Sequence, residues 1–206
     1  MNEQHLGSGV LLRAAKIADL PELLRVCLET GDSGKDATHL HKLPDLVGDI
    51  YVAPYVIHEP EFAYVLTAQS RVVGYLLGVI DTQAFENILA EKYWSIAKAK
   101  YQEIDFEITP SDQELLSELD RQGFSSNELT SKYPSHLHID IVESHQSAGY
   151  GKSMIAFLLA ELKAAGSLGV HLHMSSSNDR ARIFYKKFGF IELTENANEC
   201  IMGLTF

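Results

Sequence analysis

A polar strand followed by a glycine-containing turn and a long apolar helix restricts the fold of this chain most strongly. Leu137 to Val142 alternates apolar side chains with His138 and Asp140, which predicts a strand with one polar face. Gly149 to Ala165 carries apolar residues at helical spacing, and Ser167 to Met174 is the next apolar run. The sequence therefore predicts a strand, turn, helix and strand in succession, which is typical of an α/β protein.

The remaining sequence supplies further strands and helices. Val10 to Arg13 predicts a first strand, and Leu20 to Glu29 predicts a helix that opens at Asp19 and Pro21. Glu61 to Ala68 and Arg71 to Ile80 predict an antiparallel hairpin. Further helices are expected at Leu43 to Tyr51 (ending near Pro54), Ala84 to Tyr101, Ser111 to Arg121 and Asn178 to Lys187, and further strands at Phe188 to Leu193 and Cys200 to Phe206.

These elements predict one α/β domain over residues 10–206, after an N-terminal tail of residues 1–9. The domain is expected to have a mixed central sheet flanked by helices, with the two helices between residues 84 and 121 as an inserted helical segment.

Composition excludes several classes of protein. The chain has 206 residues, of which 46% are hydrophobic, so it can bury a full core and is not predominantly disordered. Its formal net charge of -11 argues against nucleic acid or anionic membranes as partners. Cys27 and Cys200 are expected to be reduced, buried thiols. Without a signal peptide or a long apolar run, a cytoplasmic location is expected.

The turn from Gln146 to Lys152 is suited to binding a phosphate. Gly149 and Gly151 allow a bulky anion close to the backbone, and the start of a helix presents free N–H groups and a partial positive charge. The spacing does not fit the phosphate loop of nucleotide hydrolases, and the turn comes too late for a dinucleotide fingerprint. From the residues alone, a plain tight turn remains the alternative.

Two motifs in order along the chain make it resemble the GNAT family of acyl-CoA-dependent N-acetyltransferases. Gln146 to Gly151 resembles the family's Gln/Arg-x-x-Gly-x-Gly/Ala coenzyme loop, and Asn178 with Phe184 to Phe190 resembles its downstream Asn…Phe-Tyr-x-x-x-Gly-Phe segment. The resemblance extends from about Val10 to the last residue and implies a GNAT fold.

A narrower resemblance is to the acetyltransferase-like C-terminal domains of O-GlcNAcases and their bacterial relatives. It rests on five blocks: Cys27 to Gly31 with Asp36 and Ala37, Asp49 to Tyr55, Glu61 to Leu66, Gly74 and Tyr75 with Gly78 and Asp81, and Tyr133 to Ser135 ahead of Asp140 and Ile141. The animal domain departs from the coenzyme-loop pattern, whereas this chain keeps both glycines.

The family resemblance implies acetyl-CoA as cosubstrate. The backbone amides of the loop are expected to hold its pyrophosphate, and the backbone at the end of the polar strand is expected to pair with its pantetheine arm. The implied coenzyme-binding residues are Ile141, Val142, Glu143, Gln146, Ser147, Gly149, Tyr150, Gly151, Lys152, Ser153, Asn178 and Tyr185. For Asn178, capping of the following helix is an alternative role.

Three residues are candidates for the chemistry. Asp140 shares a strand face with His138, and either side chain is a candidate to take the amine proton. His138 is a candidate because an imidazole is expected to have a pKa near neutrality. Tyr185 matches the family tyrosine that protonates the leaving thiolate, although a packing role is the alternative. Asp81 is a candidate ligand for a cationic substrate, or a turn former.

The leading hypothesis is direct acetyl transfer from acetyl-CoA to a primary amine, on a small molecule or a protein lysine, by a monomer or homodimer. The negative charge favours a cationic acceptor. The alternative is a non-catalytic module that binds acyl-CoA or another protein. A weaker alternative, a metal-dependent hydrolase, would use His136, His138, His171 and His173, but we expect no metal site because no carboxylate or cysteine clearly completes the set.

Overall fold

A single twisted sheet organises the molecule. The computed structural model describes residues 3–7, 9–121 and 123–206, without the side chain of Arg121. The strands are β1 (Gln4–Gly7), β2 (Val10–Ala14), β3 (Ala63–Ala68), β4 (Arg71–Val79), β5 (Ser135–Ile141), β6 (Gly169–Ser175), β7 (Ile191–Glu195) and β8 (Glu199–Thr205). In the described residues they form one sheet in the order β1-β2-β3-β4-β5-β6-β8-β7.

Helices cover both faces of this sheet. They are α1 (Leu20–Thr30), α2 (Leu46–Tyr51), α3 (Ala53–His58), α4 (Thr82–Lys92), α5 (Trp94–Ala99), α6 (Pro110–Arg121), α7 (Asn127–Lys132), α8 (Tyr150–Ala164) and α9 (Asp179–Lys186). The mixed sheet flanked by helices confirms the predicted α/β class. None of the described helices combines the length and the apolar character needed to cross a lipid bilayer.

Alternating side chains on the central strands divide the core into two layers. Val65 and Tyr75 point towards the layer that contains α1 to α5, whereas Leu66 and Leu76 point towards the layer beneath α8. In β5, Leu137 packs in the α8 layer. The polar residues of β5 therefore face the side of α1 and α2.

The parallel pairing of β5 with β6 is short. Ser135 pairs with Val170 and His136 pairs with His171, whereas the later residues of the two strands have no such register. All other neighbouring strands pair antiparallel. Since β5 continues to Ile141 and β6 to Ser175, the two strands part beyond their first residues and leave a gap in the sheet.

Most element positions agree with the sequence predictions, and the differences have physical causes. The helix expected from Ala84 to Tyr101 divides at Tyr93, whose hydroxyl donates to the Asp49 carbonyl oxygen at 2.6 Å. Helix α7 has no apolar periodicity and was not predicted. Gln4–Gly7, within the stretch expected to be a tail, pairs with β2; Met1, Asn2 and Ser8 lie outside the described residues.

A buried carboxylate joins the inserted helices to α2. Asp49 is 1% exposed and accepts hydrogen bonds from Lys100 Nζ at 2.8 and 2.9 Å and from Tyr101 Oη at 2.7 Å. Burying a carboxylate is costly unless it is paired and hydrogen-bonded, so these contacts make the position of the inserted segment specific.

Replacement of Asp49 should loosen this segment. We expect Asp49→Ala to lower the free energy of unfolding by about 3 kcal/mol, because the Lys100 and Tyr101 head groups lose their acceptor. The exposed Asp45 at the start of the same helix is the matched control, and Asp45→Ala should change stability by less than about 0.5 kcal/mol. Urea unfolding followed by the fluorescence of Trp94 measures both variants; equal effects would contradict this role for Asp49.

Candidate active site

The gap between β5 and β6 opens into a cleft of about 840 Å³. Its lining includes His138 and Asp140 of β5, the facing residues of β6, and Tyr185 of α9. Residues of α1 to α3 line the opposite side, with Cys27 and Tyr51 among them. The sequence-predicted catalytic candidates Asp140, His138 and Tyr185 thus share one cleft.

Asp140 is held by a tyrosine on the neighbouring strand. Tyr75 is directly opposite it in the β4–β5 register and donates its hydroxyl hydrogen to Asp140 Oδ2 at 2.5 Å. Burial raises the pKa of Asp140 to about 7, and the Tyr75 hydrogen bond acts in the opposite direction. Asp140 can therefore exchange a proton near neutral pH.

Cys27 lies beside the same pair. The Cys27 thiol interacts with the Tyr75 hydroxyl, and burial, followed by the charge of Asp140, raises the pKa of the thiol to about 12. Cys27 therefore stays protonated at physiological pH and is a poor nucleophile.

His138 occupies the floor of the cleft next to Asp140. Its ring stacks on Tyr51, with the centroids 5.9 Å apart and the planes at 15°, and no described residue forms a hydrogen bond with it. Burial lowers the pKa of His138 to about 4, so the ring is neutral at pH 7. The expectation of a pKa near neutrality was wrong, because burial in this aromatic setting disfavours the imidazolium ion.

The other three histidines considered as metal ligands, His136, His171 and His173, form hydrogen bonds within the protein. His136 Nε2 is 2.9 Å from the Tyr55 hydroxyl and Nδ1 is 2.8 Å from Thr82 Oγ1. His171 Nδ1 lies 2.8 Å from the Tyr133 carbonyl oxygen, and His173 Nδ1 lies 2.8 Å from Glu199 Oε1. Within the described ranges, no group of three or more His, Cys, Asp or Glu side chains is arranged to hold a metal.

Tyr185 reaches the cleft from α9. Its side chain is 8% exposed and packs against the rings of Phe184 and Phe190. Its hydroxyl makes no hydrogen bond with any described residue, although the residue lines the cleft. Burial, and then the charge of Asp140, raises the pKa of Tyr185 above its ordinary value, so the hydroxyl is a retained proton donor.

The turn before α8 presents unpaired backbone donors. Gly149 has φ +86°, a conformation that favours glycine, and α8 begins at the next residue. Among the described residues, no acceptor pairs with the N–H groups of Gly149, Tyr150, Gly151 or Lys152, whereas Ser153 N–H bonds to the Gly149 carbonyl. Four donors and the positive end of a 15-residue helix therefore converge at this corner.

Side chains fix the shape of this turn. Gln146 Nε2 donates to the carbonyl oxygens of Ile141 at 2.8 Å and Gly34 at 3.0 Å. Arg180 donates to Gln146 Oε1 at 2.8 Å and to Ser147 Oγ at 3.3 Å. The side chains of Gln146 and Ser147 thus position the loop.

The end of β5 has a strand neighbour on one side. Ile141 pairs with Gly74, and Val142 N–H donates to the Val73 carbonyl at 2.9 Å. Glu143 begins a single helical turn that leads into the glycine loop. The side of this backbone turned away from β4 borders the gap.

Two other candidates act as helix caps. Asn178 Oδ1 accepts from Ala181 N–H at 3.0 Å and caps α9, and the residue also lines the cleft. Asp81 Oδ1 accepts from Ala84 N–H at 3.0 Å and caps α4. Asp81 is exposed and does not belong to the cleft lining, so the structure does not bring it to the other site residues.

Sequence reasoning missed Tyr75, Cys27 and Tyr51. Tyr75 is the one aromatic residue in the otherwise aliphatic run from Val72 to Ile80, which is a signal that its hydroxyl has a polar partner. The identity of that partner depends on the register of β4 against β5, which the sequence does not contain.

Comparison with known proteins agrees with this geometry. Residues 118–192 match the model of the acetyltransferase (GNAT) domain family. The chain is 27% identical over 179 residues to protein O-GlcNAcase of Rattus norvegicus; the match covers 86% of this chain but 19% of that protein, so the chain spans about a fifth of the relative's length.

Solved structures show the same fold. The structure named SsHAT is 30% identical, with a TM-score of 0.84, and the match covers 96% of this chain and 98% of that one. PaiA N-acetyltransferase from Thermoplasma acidophilum, in complex with coenzyme A, is 13% identical with a TM-score of 0.60, over 97% of this chain and 100% of that one. The family model and the match to SsHAT place the chain in the GNAT acetyltransferase family.

Proposed function

We propose that this chain is an acetyl-CoA-dependent N-acetyltransferase that transfers acetyl to a primary amine by direct attack. The observation that carries the proposal is the corner of unpaired N–H groups at Gly149 to Lys152. One short helical turn separates this corner from the strand that bears Asp140. Such a transfer needs two features. One is a corner that binds an anion, and the other is a carboxylate that titrates near neutrality.

The loop fits the diphosphate of coenzyme A. Backbone donors at a helix start stabilise phosphate oxygens. An added Cβ at Gly149 meets no atom within 4 Å, so the glycine leaves this corner open. The Ile141 to Glu143 backbone, with β4 on one side only, would hold the pantetheine amides. The coenzyme A complex of PaiA, a protein with the same fold, supports this assignment.

Asp140 and Tyr185 have complementary roles in the proposed reaction. Bound acetyl-CoA supplies the acetyl thioester. Asp140 takes a proton from the amine as the C–N bond forms, and Tyr185 donates its hydroxyl proton to the sulfur as the C–S bond breaks. Water in the cleft then returns the proton from Asp140 to Tyr185, so the products are an N-acetylated amine and the free thiol.

Direct attack is favoured over a covalent acetyl-enzyme. Cys27 is the cysteine that lines the cleft, and its pKa of about 12 keeps it as the thiol. A protonated thiol beside a buried tyrosine is not an activated nucleophile.

The coenzyme corner can be tested with two glycines at opposite ends of α8. Gly149 and Gly166 both have positive φ, +86° and +92°, and both have open space where a Cβ would lie. Each alanine variant therefore pays a similar strain of about 1 kcal/mol. We expect Gly149→Ala to raise the Kd for coenzyme A by about tenfold or more in calorimetry, since the added methyl group faces the bound diphosphate. Gly166→Ala should bind like the parent protein; equal Kd values for both variants would contradict this site.

The proposed proton transfers predict a pH profile. Because Asp140 must be ionised to accept a proton, kcat/KM should rise as pH increases and reach half its maximum near pH 7. Asp140→Asn should lower kcat by about 100-fold and remove this dependence, and Tyr185→Phe should lower kcat with little change in Kd for coenzyme A. The assay follows thiol release from acetyl-CoA with a panel of amines. If coenzyme binds but no amine releases thiol, the chain is a non-catalytic acyl-CoA-binding module.

Tyr75 should adjust the same titration. Its hydrogen bond favours the ionised carboxylate, so Tyr75→Phe raises the pKa of Asp140 and moves the midpoint of the pH profile to higher pH. Tyr64→Phe is the control, because the Tyr64 hydroxyl donates to the Glu61 carbonyl on the other face of the sheet. A midpoint unchanged by Tyr75→Phe would show that this hydrogen bond does not set the pKa of the base.

A further inference from the structure

A side pocket opens from the cleft among the inserted helices. It has a volume of about 220 Å³ and is lined by residues from α2 to α6. Tyr51, Tyr55, His136 and Phe124 line both the side pocket and the main cleft, so the two spaces are continuous. The wall of the side pocket is largely apolar, and its lining includes Phe85, Leu89 and Trp94.

Two carboxylates, those of Glu86 and Glu118, lie where the side pocket meets the cleft, because both residues line both spaces. Glu118 Oε2 accepts a hydrogen bond from the Tyr51 hydroxyl at 2.7 Å, and Glu86 accepts from Ser125 N–H and Oγ. Within the described residues, neither carboxylate forms an ion pair, and neither space is lined by a Lys or Arg side chain. The lining is therefore negatively charged and has no described cation to balance it.

Aromatic rings connect these carboxylates to the reacting centre. Asp140 and His138 are two residues apart on one strand face, about 7 Å along the strand. The His138 ring then stacks on Tyr51, whose hydroxyl contacts Glu118. The ring of His138 has no hydrogen-bond partner among the described residues and lines the cleft. A ligand that passes His138 would therefore meet a free polar group.

We infer that the acceptor is a compact aliphatic diamine, with one amine at Asp140 and a second, protonated amine at Glu118 and Glu86. This inference rests on the proposed function and names its substrate class. The methylene chain lies along Tyr51 and His138, and the distal ammonium contacts the two carboxylates. The uncharged ring of His138 does not repel the distal ammonium group.

The small volume of the side pocket favours a small molecule over a protein lysine. Residues of five helices line the pocket, and its volume of about 220 Å³ accommodates the end of a chain and not a continuing polypeptide. A lysine side chain would bring one amine to Asp140 and no second amine to Glu118 and Glu86.

The test compares two acceptors with the same carbon chain, hexamethylenediamine and hexylamine, together with a lysine peptide with a blocked N-terminus. Thiol release from acetyl-CoA gives kcat and KM for each. We expect the KM of the diamine to be about tenfold or more below that of hexylamine, because a charge-assisted contact is made only by the diamine.

Charge removal at the distal end completes the test. Glu118→Gln should raise the KM of the diamine about tenfold and reduce its advantage over hexylamine, with kcat little changed. Glu114→Gln is the matched control, since Glu114 is exposed on the same helix one turn earlier and lines neither space. Turnover of hexylamine or of the peptide as efficient as that of the diamine would overturn the inference and leave the acetyltransferase proposal standing. Absence of turnover with every amine, despite coenzyme binding, would overturn both.

Discussion

The parting of β5 from β6 after two paired residues is the constraint on which the site depends. The parallel register ends at His136 and His171, and both strands continue. Their separation exposes the polar face of β5 to the cleft and leaves its last residues without a second neighbour. The same strand leads through one short turn into the unpaired amides that precede α8. One break in the sheet thus supplies both the proposed coenzyme path and the proposed base.

Burial then determines the chemistry of the groups in this gap. It raises the pKa of Asp140 to about 7 and lowers that of His138 to about 4, so the carboxylate and not the imidazole titrates near neutrality. Burial keeps Cys27 and Tyr185 protonated as well. The environment therefore makes Asp140 suited to act as the base and Tyr185 suited to act as the acid, although both side chains share one cleft. The neutral His138 ring is better suited to lining an acceptor path than to taking a proton.

The sequence predicted the features that depend on local patterns. Alternation placed His138 and Asp140 on one strand face, and helical spacing located the helix that follows Gly149. Features that depend on register or on distant contacts were not predicted. The partner of Asp140 is Tyr75, 65 positions away, and the division of the inserted helix at Tyr93 reflects a hydrogen bond to Asp49. Asp81 has the residue type expected of a substrate ligand, yet its carboxylate caps α4. Residue type alone does not distinguish a cap from a ligand.

The central claim is that the amides of Gly149 to Lys152 receive the diphosphate of coenzyme A. Amide chemical shifts of the isotopically labelled protein, followed during titration with coenzyme A, test this claim most directly. The account predicts that the resonances of these four amides move to lower field as they gain charged acceptors, with a midpoint equal to the calorimetric Kd. Saturation with coenzyme A that leaves these four resonances in place would contradict it.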